Sequence, residues 1–202
     1  MYFGLSEDQI FFQENVSKFL VDQANLDVIR AITEGDAGET QKEINSGLVN
    51  LGLSTLLIPE EFGGLGLDLL FATAVSQSLG GGIAPISYAG SFVMAPLAIS
   101  HGGSKKQKED YLTKMSENSI RFGVGFSEYI SARDGSAIEI KNNKISGRAL
   151  FVLDAKDASH LMFADSSGVI GIVASDSPGV EIVQLTAVDK TRSYSEVKLD
   201  NV

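Results

Sequence analysis

The chain has 202 residues, 44% of them hydrophobic, enough apolar material for a packed core and too much for a disordered chain. A formal net charge of −10 argues against nucleic acid or an anionic membrane surface as partner, because phosphates select clustered Lys and Arg. With no cysteine, disulfides, thiolate catalysis and cysteine-ligated metal are excluded.

Met1 to Asp8 turns acidic at once, without a basic stretch followed by an apolar run, so no secretory signal is expected. No apolar stretch approaches the roughly 18 residues of a transmembrane helix. A cytoplasmic protein without a membrane span is the expectation.

The first helix is predicted from Ser6, which stands three residues before Gln9 in capping-box spacing, with Glu7 and Asp8 at the positive end of the helix dipole. Phe12, Val16, Phe19 and Leu20 then form one apolar stripe. A connection around Gly35–Glu39 precedes a helix carrying Ile44, Leu48 and Leu51, with Gly52 as its stop. Ile58-Pro59-Glu60-Glu61-Phe62-Gly63-Gly64-Leu65-Gly66 reads as a tight loop packed on the core. Leu69 to Leu79 and Ser91 to Ser100 read as apolar, buried helices, with Pro96 marking a kink or the true start of the second. Ser104 and Gln107 repeat the capping-box spacing and open a helix through Tyr111, Leu112 and Met115.

From about Ile120 the apolar period changes from helical to two. Short strands are predicted at Arg121–Phe126, Ala137–Ile140, Lys144–Ser146, Ala149–Leu153, His160–Ala164, Val169–Ala174, Val180–Gln184 and Ser195–Leu199, separated by turn residues. Helices and strands are segregated, so no Rossmann sheet is implied. The expected fold is a multidomain α+β chain. An N-terminal all-α bundle over residues 1–118 is followed by a small antiparallel β-barrel or sandwich over 119–202.

The chemical signals are sparse. His101 and His160 stand far apart, without metal-ligand spacing, and read as structural. Gly80-Gly81-Gly82 follows a helix and reads as its stop. Lys105, Lys106 and Lys108, beside Glu109 and Asp110, read as a solvated helix face, and Glu60-Glu61 as a solvated loop. No serine-hydrolase elbow, P-loop or metal motif occurs, and no catalytic residue is assigned.

Three ordered segments resemble the acyl-CoA dehydrogenase family. Pro59-Glu60-Glu61-Phe62-Gly63-Gly64-Leu65-Gly66 is similar to a loop of that family's helical domain. Within His101 to Glu128, the Lys/Gln-rich helix and Gly125-Phe126-Ser127-Glu128 resemble the approach to its flavin strand. Asp189-Lys190-Thr191-Arg192 through Val202 is similar to the closing strand of its middle domain.

The resemblance implies FAD and an acyl-CoA thioester bound between these parts and a third, helical domain whose Glu removes a proton. That domain is expected to be absent, so the chain alone is expected to be inactive and prone to self-association. An electron-transfer acceptor and a homo- or hetero-oligomer are further implied partners, and fatty acid oxidation the implied setting.

Residue by residue, the resemblance places Ser127 at the flavin pyrimidine edge, Phe126 beside the ring and Phe151 as its aromatic cover. Leu153 occupies a position where a Thr usually faces flavin N5. Tyr129 replaces the family's Pro after the strand, and Gly135 and Ser136 stand for its phosphate-loop Gly-Ser. Leu153, with a segment after Glu128 that is shorter than the family's, motivates a rival reading, a non-catalytic subunit of a heteromeric dehydrogenase; an interaction module that kept the fold without the chemistry is a third.

Overall fold

The computed structural model describes residues 4–127, 129 and 137–202. Helix α1 spans Glu7–Gln23, and its capping box forms as expected: Ser6 Oγ accepts from Gln9 N and Gln9 Oε1 accepts from Ser6 N. A separate helix, α2, Leu26–Glu34, begins where Asn25 Oδ1 accepts from the amides of Asp27 and Val28. Asn25 is an ordinary N-cap, and it breaks a run read from the sequence as one helix. Gly35, in the left-handed region, ends α2.

Helices α3, Gly38–Asn50, and α4, Leu69–Gly81, follow, with the expected stop at Gly52 and the triple glycine closing α4. Val16 and Leu20 of α1, Ile44 and Leu48 of α3, and Val75 and Leu79 of α4 bury one another in the helical core. Each such side chain contributes about 1.5–3 kcal/mol when fully buried. A π-helical turn, Ala89–Met94, then leads into α5, Ala95–Gly102. Pro96 lies in the first turn of α5, directly after the π-helical turn, and so marks the true start of that helix. Helix α6, Lys105–Ser116, opens with the second capping box.

The strands are β1 Phe122–Gly125, β2 Ala137–Lys141, β3 Lys144–Leu153, β4 His160–Ala164, β5 Ile170–Ala174, β6 Val180–Gln184 and β7 Tyr194–Leu199. Two short strands expected at 144–146 and 149–153 are one long strand, because β3 runs through the sheet centre. The order is β5-β4-β1-β3-β7-β6, with β2 also paired to β3.

Two features differ from an antiparallel barrel. The pair β1–β4 is parallel, and the sheet is open, since among the described residues no ladder joins its ends β5 and β6. The sheet nevertheless curls around one core, to which Val173 of β5 and Ile182 of β6 both contribute beside Phe163, Val197 and Leu199.

A third cluster joins helices to sheet. Ile58, Ile99 and Leu112 pack against Phe122, Val124 and Met162, with Phe126 partly buried at its margin. This seam sets the position of β1 and therefore of the residues that follow it.

Candidate functional site

The candidate site forms where β1 ends beside an irregularity in β3. Val124 pairs with Leu153 in an antiparallel register. Continued by two and three residues, that register brings Phe126 alongside Phe151 and Ser127 alongside Leu150. The Ser127 hydroxyl does donate to the Leu150 carbonyl, at 2.7 Å. On its other side β3 slips register against β7 between Ala149 and Val152. This bulge turns Phe151 into the left-handed region, φ 56°, and leaves the residue 40% exposed. The ring meets Tyr194 edge to face, 6.3 Å between centroids.

Leu153 and Asp154 follow. Asp154 also has a positive φ, 60°, and its Oδ2 accepts from the backbone amides of Gly90, at 3.0 Å, and Ser91, at 3.1 Å. Burial pushes the Asp154 carboxyl above its ordinary value; those two amides, the Ser87 side chain and the Arg192 charge pull the other way. Arg192 donates to the Ile86 carbonyl at 3.2 Å. A cavity of about 140 Å³ is lined here by Leu153, Asp154, Arg192 and Tyr194 of the sheet region and by Tyr88 and Ala89 of the helical region. A larger groove of about 770 Å³ lies between α1 and α4 and touches none of these residues.

The structure thus brings Ser127 against β3, the strand that carries Phe151 and Leu153; Gly135 and Ser136 lie outside the described residues. Phe126 is committed to the seam with Ile58 and Met162. Sequence reasoning missed Asp154 and assigned Arg192 no role. The only sequence sign of Asp154 is a carboxylate directly after an apolar strand, and its partners stand 63 and 64 residues away.

The implied flavin can be tested against this arrangement. An outward-facing Phe151 supplies an apolar platform for a flat ring. The Ser127 hydroxyl hydrogen is directed at Leu150, so its side chain would meet a flavin edge as an acceptor. Leu153 offers no polar side-chain atom. Phe151 thus fits a face of the ring, and the Ser127 hydroxyl oxygen fits its polar edge as an acceptor.

The remaining candidates are structural in character. His160 packs between Tyr111 and Phe122, with burial and then the Lys114 charge lowering its pKa from 6.5, against Asp176. His101 is exposed at the end of α5, and Lys105 pairs with Glu109 on the exposed face of α6. Among the described residues no group of His, Asp and Glu could hold a metal ion, and no helix is long and apolar enough to cross a membrane.

Comparison with known proteins adds a lineage to this geometry. Residues 6–119 match the family model of the acyl-CoA dehydrogenase N-terminal domain. Mitochondrial isovaleryl-CoA dehydrogenase of Bos taurus is 24% identical over 180 residues, 85% of this chain and 42% of its own length. The solved structure of glutaryl-coenzyme A dehydrogenase with glutaryl-CoA aligns at TM-score 0.80 and 22% identity, covering 100% of this chain and 56% of that one. An acyl-CoA dehydrogenase from Bacillus anthracis complexed with FAD aligns at TM-score 0.78 and 16% identity, over 98% of this chain and 36% of that one. The chain therefore spans less than half of the bovine relative and little more than half of the glutaryl-CoA enzyme.

Proposed function

We propose, from the premise that this chain belongs to the acyl-CoA dehydrogenase family, that it forms one wall of an FAD site for oxidation of an acyl-CoA thioester. The observation that carries the proposal is the β3 bulge, which holds Phe151 outward beside the Ser127–Leu150 hydrogen bond. When bound, FAD supplies the acceptor for the hydride removed from the acyl chain.

The chain's own part is to bind and orient. Phe151 would offer the ring an apolar face, Ser127 would meet its polar edge, and Leu153 would stand beside it with no polar side-chain atom. Gly135 and Ser136 are proposed for the flavin phosphate. Asp154 is already engaged by two amides, so it is given no proton-transfer role and no described residue is named as base. The acyl-CoA, an electron-transfer acceptor and a homo- or hetero-oligomeric assembly are the proposed partners.

FAD titration followed by desalting and visible absorbance tests the proposal. Retained flavin, with weaker retention in Phe151→Ala, is expected; a folded chain that binds no FAD at saturating concentration overturns it.

Leu153 favours one second reading, a non-catalytic subunit that shapes the acyl pocket while another chain holds flavin. That reading predicts acyl-CoA stabilisation without FAD, about 2.7 kcal/mol at 100 times the dissociation constant.

A further inference from the structure

We infer that Ser91 and Asp154 form a buried clamp that ties the start of β1 and the end of β3 to a single π-helical turn, and so positions the proposed flavin residues those strands carry. The inference rests on the proposed flavin site for its consequence, though its geometry stands independently. Ser91 is 2% exposed and bonds in both directions: its amide donates to Asp154 Oδ2 at 3.1 Å, and its hydroxyl accepts from the Phe122 amide at 3.2 Å. Phe122 begins β1, and Asp154 directly follows β3. One serine therefore ties the strand leading to Phe126 and Ser127 to the strand carrying Phe151 and Leu153.

The fit around the clamp is close. A Cβ at Gly90 would stand 2.8 Å from Asp154 Oδ2 and 3.1 Å from Leu153 Cβ, so the turn reaches the strand only because residue 90 has no side chain. Asp154 must take a left-handed φ to aim its carboxylate back at that turn. Arg192, donating to Ile86, places a positive charge on the same side and pins the turn's approach from β7's leading segment.

Asp154 is thus a positioning residue. A neutral acceptor of the same shape should serve nearly as well as the carboxylate, because what the turn requires is an oxygen facing two amides.

The test uses the full chain with Asp154→Ala, Asp154→Asn and Ser91→Ala. Circular dichroism checks folding, FAD fluorescence gives the dissociation constant, and amide hydrogen exchange reads residues 122–126 and 149–153. Asp154→Ala should weaken FAD binding about tenfold and speed exchange at 149–153, while Asp154→Asn stays within about threefold of the parent. Unchanged affinity and unchanged exchange in folded Asp154→Ala overturn the clamp.

If the parent chain itself binds no FAD, the flavin site fails, and exchange alone decides the clamp. Faster exchange in Asp154→Ala than in Asp154→Asn then supports it, and equal exchange rejects it. Should Asp154→Ala not fold, Ser91→Ala carries the test. Faster exchange at Phe122 and at 149–153 supports the clamp, and no change at either rejects it.

Discussion

Gly64 presses against the carbonyl of Ile58 so closely that a Cβ at residue 64 would lie 1.9 Å from the oxygen. The same carbonyl accepts from the Gly66 amide at 2.8 Å, so the oxygen cannot swing aside without breaking the loop. Gly64→Ala should lower stability by about 3 kcal/mol, the upper part of the range for overpacking, as a fall in denaturant midpoint at unchanged slope. A midpoint within experimental error of the parent would contradict the packing described.

Phe151 separates stability from binding. A non-glycine residue in the left-handed region carries a strain of about 1–2 kcal/mol, and this ring is only partly buried. Phe151→Gly should therefore leave the melting temperature unchanged or slightly raised, while weakening FAD retention about tenfold. Loss of stability in parallel with loss of binding would mean the ring serves packing instead.

His160 makes stability fall with acid. Its pKa is lowered in the folded chain, chiefly by burial, so between the unfolded value of 6.5 and the lowered folded value the unfolded state binds more protons. Stability from this group is present above pH 6.5 and is lost as pH falls through the folded pKa. Melting temperatures of His160→Gln across that interval should show a flatter slope than the parent. An identical slope would remove His160 from the account.

Phe122 is fully buried at the seam between helices and sheet. Phe122→Ala should cost about 3–5 kcal/mol, the range for emptying a large core position. Because Phe122 also touches Tyr111 of α6 and His160 of β4, the loss should loosen the helical and sheet regions from one another. Separate unfolding transitions by probes of the two regions would show this; a mild loss under 1 kcal/mol would argue that the seam is held elsewhere.

The sequence by itself determined what depends on neighbours along the chain. The capping boxes at Ser6 and Ser104 form as read, since each closes within one helical turn. The strands at 160–164 and 180–184 match their expected bounds, because alternation and flanking turns are local signals. Segregation of helices and strands was legible for the same reason, and three motif segments sufficed to suggest the family. Asn25 was a local signal too, since its side chain caps α2 through amides two and three residues on.

Only the tertiary structure decided the rest. The parallel pairing of β1 with β4 and the open sheet depend on which distant edges meet, which periodicity does not encode. The bulge that exposes Phe151 arises from a slip against β7, more than 40 residues along the chain. Asp154 reads in sequence as a turn residue; its capture by Gly90 and Ser91 exists only because packing at Phe122 brings the π-helical turn to the end of β3. Local hydrogen bonding selects elements, whereas burial of the seam between them selects which polar groups must find one another.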